Sequence, residues 1–105
     1  MYKLCFYVPE SHLESVKQAL FAVGAGRIGA YDRCCWQILG QGQFRPLAGS
    51  NPFLGQNEQL ETVPEWKVEL VVSDELIHEV VSALKHAHPY ETPAFDVWHL
   101  SDLAD

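Results

Sequence analysis

Tyr2-Lys3-Leu4-Cys5-Phe6-Tyr7-Val8-Pro9, continued by Glu10-Ser11-His12-Leu13-Glu14 and closed by Val23-Gly24, is the stretch that decides the fold. Tyr2, Leu4, Phe6 and Val8 alternate with Lys3, Cys5 and Tyr7, the period of two that a strand shows when one face is buried. Pro9 ends it. Ser11 and Glu14 have the spacing of a capping box, which predicts a helix start. Leu13, Val16, Ala19, Leu20 and Val23 then recur at helical spacing as one apolar stripe. Gly24 stops the helix, because glycine accepts the left-handed backbone of a helix end.

The same pattern repeats downstream. Arg33 to Gln43 reads as a second strand, with Cys34, Trp36 and Ile38 opposed to Cys35, Gln37 and Leu39. Gly40 and Gly42 predict a bulge or a close approach in it. An irregular segment from Phe44 to Leu60 follows, rich in Pro, Gly, Ser and Asn, and loops of that length tend to carry function. Val63 to Val72 reads as the third strand, with Trp66, Val68, Leu70 and Val72 on one side and Lys67, Glu69 and Val71 on the other. Ser73 or Asp74 is expected to cap a second helix, whose stripe is Leu76, Ile77, Val80, Val81 and Leu84. Pro89 prevents its continuation. Phe95 to Leu100 makes a short last strand, and Ser101 to Asp105 is expected to fray.

Strand, helix, strand, given twice, is the split-βαβ order. The expectation is an α+β, ferredoxin-like βαββαβ sandwich formed by residues 1–105 as one domain. It has an antiparallel sheet with two helices on one face, and its first and third strands are expected to be central and parallel. Right-handed crossovers place both helices on the same side. The opposite face then carries Lys3, Cys5, Tyr7, Lys67, Glu69 and Val71, too apolar for water and too charged for a core. It is expected to be the interface of a homo-oligomer, a dimer or a trimer.

Composition narrows the partners. The 105 residues carry a net charge of −7, and the seven basic residues are scattered. Such a chain repels phosphate backbones and anionic membranes, so nucleic acid and membrane are not expected partners. The three cysteines, Cys5, Cys34 and Cys35, have no disulfide-framework spacing. No secretory signal and no bilayer-length apolar run is present, and the cytoplasm is the expected compartment.

Several motifs invite chemistry. Gly24-Ala25-Gly26-Arg27-Ile28-Gly29 has the letters of a dinucleotide fingerprint. That fingerprint needs a strand before it and a helix after it, and the context here is reversed, so it reads as a helix stop and a glycine turn. Cys34-Cys35 reads as two small buried side chains on opposite faces of a strand, because adjacent cysteines pair poorly. His86, His88 and Glu91 could hold a divalent metal, although the dipole of a helix C-terminus also explains the histidines. The Gly40-to-Pro46 loop, with Phe44 and Arg45, is the best place for a ligand. No nucleophile elbow and no paired-carboxylate signature appears.

Gly26-Arg27-Ile28-Gly29-Ala30-Tyr31-Asp32-Arg33-Cys34, Gly40-Gln41-Gly42-Gln43-Phe44-Arg45-Pro46, Gly49-Ser50-Asn51-Pro52, Gly55 and His88-Pro89-Tyr90-Glu91-Thr92-Pro93-Ala94-Phe95-Asp96 together resemble one module. It is the domain inserted in the NIF-three-like proteins, hexameric toroids with a dinuclear metal centre. The resemblance runs from Met1 to about Leu100 and implies a stand-alone homologue with a fold like those of PII and CutA proteins. In that family the two-metal ligands belong to the flanking domain, so none is carried over. The resemblance implies a shared surface of Tyr31, Gly42, Phe44, His88, Tyr90 and Glu91, and Arg45 joins these as a ligand-binding candidate. The expected function is a non-catalytic, regulatory binding module that self-assembles and takes a small molecule or a protein. A CutA-like divalent-metal binder and a small hydrolase with an inter-subunit site are the alternatives. No cofactor is expected beyond a divalent metal.

Overall fold

The computed structural model describes residues 1–104. In chain order the elements are β1 (Tyr2–Val8), α1 (Leu13–Ala22), β2 (Trp36–Phe44), β3 (Glu61–Val72), α2 (Ile77–Ala87) and β4 (Phe95–His99). Short 3₁₀ turns precede both helices and follow β4. The sheet order is β2-β3-β1-β4. The α+β, ferredoxin-like arrangement is therefore present, with the first and third strands central.

The expected parallel pairing of those two strands does not occur. β1 and β3 run antiparallel, with Leu4 opposite Leu70 and Phe6 opposite Val68. Topology gives the reason: β3 returns from β2 through a hairpin connection, so it runs against β2 and also against β1. The β1–β4 and β2–β3 pairs are antiparallel too.

One core explains the burial pattern. Leu4, Phe6 and Val8 of β1 and Val68, Leu70 and Val72 of β3 project to the same side. There they meet Leu13, Val16 and Leu20 of α1 and Ile77, Val80 and Leu84 of α2 in a single buried cluster. Each such side chain contributes roughly 1.5–3 kcal/mol by leaving water. The period-two stripes and the two helical stripes thus form one core.

The local signals divide. Gly24 stops α1 as expected: its φ is +100°, its N–H donates to the Phe21 carbonyl at 3.0 Å, and the Ala25 N–H reaches back to Leu20 at 3.1 Å. The glycine-turn reading also holds, because Ile28 and Tyr31 bond each other across a tight turn at 2.9 Å in both directions. The capping box does not form. Ser11 Oγ is bound to His12 Nδ1 at 2.8 Å, and Glu14 pairs with Lys17 at 3.2 Å, while a 3₁₀ turn at Glu10–His12 leads into the helix. No side-chain cap is made at Ser73 either, and Asp74 pairs with the N-terminal ammonium instead.

Strand 2 begins at Trp36, three residues later than expected. Cys34 and Cys35 therefore lie before it, the first partly buried and the second exposed, not as a buried pair on a strand. No bulge occurs, since Gly40 pairs with Glu65 and Gly42 with Val63 in unbroken register. β3 outruns β1: Val8 pairs with Trp66, and Glu61 to Glu65 have only β2 beside them. Pro64, which lacks an N–H, falls on that one-sided stretch, where no ladder bond is lost. The tail forms a 3₁₀ turn at Asp102–Ala104 instead of fraying there, and Asp105 lies outside the described residues.

The sheet face opposite the helices is mixed, as expected. By strand parity it carries Lys3, Cys5 and Tyr7, Lys67, Glu69 and Val71, together with Trp36 and Ile38 of β2 and Trp98 of β4. Trp36 is 55 % exposed, Ile38 51 % and Trp98 49 %. Cys5 differs from the expectation of an interface residue. It is 1 % exposed, and burial pushes its thiol pKa up, with a hydrogen bond to Tyr7 opposing that shift. Its own chain already covers it.

Candidate functional site

A cavity of about 260 Å³ lies at the end of the sheet where β3 outruns β1. Tyr7, Phe44 and Glu65 reach it from the strands. The loop after β2 supplies Pro46, Ser50, Pro52, Phe53 and Leu54, and the turn after α2 supplies Tyr90, Glu91 and Thr92. Most of the lining is apolar.

Two connections hold the loop and the turn together. The Asn51 backbone N–H donates to the Glu91 carboxylate, at 2.8 Å to Oε2 and 3.3 Å to Oε1, across forty residues of sequence. The rings of Phe44 and Phe53 stand 6.1 and 6.3 Å from the Tyr90 ring, tilted at 50° and 48°. Tilted rings at that spacing attract through their quadrupoles. Three aromatic walls thus face a common space.

His88 is the post behind this wall. It is buried, its Nε2 lies 2.6 Å from the Tyr7 carbonyl, and its Nδ1 accepts the Tyr90 N–H at 3.1 Å. A carbonyl cannot donate, so Nε2 carries the proton and Nδ1 carries the lone pair. The imidazole is therefore neutral, and burial lowers its pKa despite the opposing bond to Tyr7. Its ring lies 4.9 Å from that of Tyr90, tilted at 57°, and sets the position of the tyrosine.

Glu65 is the least expected group in the cavity. Its side chain lies over Gly42 on the neighbouring strand, in space that a Cβ at position 42 would take. Burial raises its carboxyl pKa, and the nearby Tyr90 hydroxyl opposes the rise. That hydroxyl is itself buried, with the Glu65 carboxyl as its neighbour. Its pKa is raised by burial first and by the Glu65 charge second. Among the described residues no lysine or arginine pairs with Glu65, and none lines the cavity.

The structure brings Phe44, Tyr90 and Glu91 into one site, with His88 behind them and Gly42 beneath Glu65. It does not bring Tyr31 there. That residue is 74 % exposed in the turn before β2, next to the opposite end of the sheet, where Gly26 bonds Val71. Arg45 is exposed and outside the lining. His86, His88 and Glu91 are not gathered: His86 is exposed on the last turn of α2, and both nitrogens of His88 are engaged. Among the described residues no group of three His, Cys, Asp or Glu side chains is arranged to hold a metal ion. No helix among them is long and apolar enough to cross a membrane.

Glu65 and Phe53 were not expected at the site, and Tyr7 was expected only at the interface. One signal for Glu65 was available. Gly40 and Gly42 face the same way on β2, and two such gaps leave a slot for a side chain from the neighbouring strand.

No protein-family model matches the chain. It is 42 % identical over 102 residues to the GTP cyclohydrolase 1 type 2 homolog of Halalkalibacterium halodurans, covering 97 % of this chain and 27 % of that protein. The protein of the same name from Listeria monocytogenes is 46 % identical over 99 residues, covering 93 % of this chain and 26 % of that one. The chain thus spans about a quarter of the length of the curated relatives it matches. Among solved structures, the Bacillus cereus protein related to NIF3 superposes with a TM-score of 0.82 at 38 % identity, over 96 % of this chain and 26 % of that one. CutA1 from Pyrococcus horikoshii superposes with a TM-score of 0.68 at 19 % identity, over 97 % of this chain and 85 % of that one. The PII-like protein CutA from Nostoc gives 0.65 at 17 % identity, over 100 % and 86 %. The chain is therefore a homologue of a quarter-length segment of the NIF3-related, GTP cyclohydrolase 1 type 2 homolog proteins, and its ferredoxin-like fold is that of the CutA and PII-like proteins.

Proposed function

We propose that this chain is a non-catalytic, regulatory binding module of the cytoplasm. It self-assembles through the sheet face opposite its helices and takes a small molecule in the cavity between the Phe44 loop and the His88-to-Thr92 turn. The observation that carries the reading is the clamp from the Asn51 N–H to the Glu91 carboxylate. It ties a long loop to a distant turn and so encloses an apolar space with few polar groups, the usual make-up of a small-molecule site. Three free cysteines accord with a reducing compartment.

Assembly has separate support. Trp36 and Ile38 on one edge strand and Trp98 on the other expose about half of their surface on the same sheet face. The molecule is also elongated, 46 × 24 × 24 Å, because the β2–β3 ribbon projects past β1. A second copy packed on the face would bury both features.

Chemical-shift mapping with a fragment library of cations, anions and neutral compounds tests the binding reading. Shifts confined to Phe44, Phe53, Tyr90 and their neighbours are expected. Shifts found only elsewhere would remove the cavity as the site.

A divalent cation is the second reading. Its support is the Archaeoglobus fulgidus neighbour described as a periplasmic divalent cation tolerance protein, 17 % identical with a TM-score of 0.65. His88 is occupied, so a metal would have to use His86 and Glu91 from more than one copy. Elemental analysis of the purified protein tests it, and metal content at trace level removes it.

A further inference from the structure

We propose that the cavity at the end of the sheet binds a small organic monocation, an ammonium head on a short apolar body, with Glu65 as its counter-ion and Phe44, Phe53 and Tyr90 as its walls. The inference rests on the binding reading above and names the chemical class that the site selects.

Charge favours a cation. The lining contains Glu65 and Glu91 and no basic side chain, and the whole chain carries −7. An anion entering this space meets two carboxylates and a field of the same sign. A neutral ligand that filled it would cut Glu65 off from water with no opposite charge beside it, which is costly for a carboxylate. A cation brings the missing charge with it.

The aromatic walls favour one too. Aromatic faces attract a cation through their quadrupoles, most strongly where water is displaced. Phe44 and Phe53 are tilted by about 50° to Tyr90 at centroid distances near 6 Å, which makes a three-sided concavity. The Tyr90 hydroxyl, buried beside Glu65, adds a polar group to the same wall.

The lining suits an organic cation and not a metal ion. Calcium and magnesium want six or more oxygen ligands. Here one carboxylate is engaged by the Asn51 N–H, and most of the remaining lining is carbon. A weakly hydrated quaternary ammonium head suits such a lining better than a hard dication does.

Gly42 offers an unusual variant for the test. A methyl at position 42 would collide with the end of the Glu65 side chain and not with backbone, so Gly42→Ala expels the carboxylate from the cavity while β2 stays intact. Glu65→Gln keeps the shape and removes the charge. The probes are choline and its uncharged isostere, in which carbon replaces the nitrogen, titrated into the intact protein and followed by shifts of the Phe44, Phe53 and Tyr90 signals. Choline is expected to bind at least about tenfold more tightly than the isostere, and to weaken about tenfold in Glu65→Gln and in Gly42→Ala. Equal affinity for the two probes, or unchanged choline binding in Glu65→Gln, would overturn the assignment. If choline is silent while benzyl alcohol or benzoate shifts the same signals, the cation class falls and the binding module stands. Silence from every probe at these residues removes both.

Discussion

The Glu65 carboxylate lies across the β2–β3 pair on top of Gly42, and the missing side chain of the glycine is the space it occupies. A strand position that reads as a weak point is thereby the seat of the only charged group that β3 sends into the cavity. Gly42 lacks the positive φ that other glycines of the chain require, so alanine fits the backbone there.

Gly42→Ala is therefore expected to change stability by less than about 1 kcal/mol, since alanine loses less chain entropy on folding and only a flexible side-chain end must move. Its Glu65 should titrate closer to an ordinary glutamate, because it has left the cavity. Carboxyl-carbon NMR across the acid range reads this, and an unchanged Glu65 titration would mean that the slot does not hold it.

Glu65→Gln is expected to stabilise the protein near neutral pH. The folded pKa of Glu65 is raised, so the folded state binds more protons than the unfolded chain between the ordinary value and the folded one. Its contribution is complete below the ordinary glutamate value and is lost as pH rises through the folded value. The glutamine variant escapes that loss, by less than about 1 kcal/mol for a group still partly open to solvent. Urea unfolding of both proteins from acid to neutral pH should show the two curves diverging as pH rises.

His88 gives the opposite slope. Its folded pKa is depressed, so the unfolded chain binds the extra proton first as pH falls. Stability should be complete above the unfolded value, about 6.5, and decline as pH drops through the window down to the folded value. His88→Gln loses one of the two bonds that join Tyr7 to Tyr90, at a cost of about 1–3 kcal/mol. The variant should also flatten the pH dependence of stability in that window. A slope identical to that of the parent would assign the titration to another group.

The clamp between loop and turn is testable without any ligand. Glu91→Ala removes the acceptor of the Asn51 N–H, which should speed hydrogen exchange of that amide and leave the core amides of β1 and β3 unchanged. Global stability should shift by no more than about 1 kcal/mol, because the bond is exposed. Unaltered exchange at Asn51 would show that the loop is held by its aromatic contacts alone.

The fold was legible because its signals are local. Alternation at Leu4, Phe6, Val8 and at Val68, Leu70, Val72 names the core face, and Gly24 names the end of α1. Strand direction was not local, and the parallel pairing expected of β1 and β3 failed because it depends on how β2 and β3 are joined. The capping box failed because Ser11 found a nearer partner in His12. The candidate site was legible in part. Phe44, Tyr90 and Glu91 meet as grouped, but Tyr31 lies away from the cavity, Glu65 reaches it from β3, and Phe53 becomes a neighbour of Tyr90 only when the 46–54 loop folds onto the turn after α2. Nothing in the spacing of those residues encodes that closure.

Self-assembly through the open sheet face is the claim on which the regulatory reading stands, and sedimentation equilibrium at micromolar concentration tests it most directly. The native chain, 11.8 kDa, should sediment as a dimer or trimer. Trp36→Glu and Ile38→Lys, both at exposed positions outside the core, should sediment as folded monomers. A native protein that sediments as a monomer, with the same mass as both variants, would contradict the account.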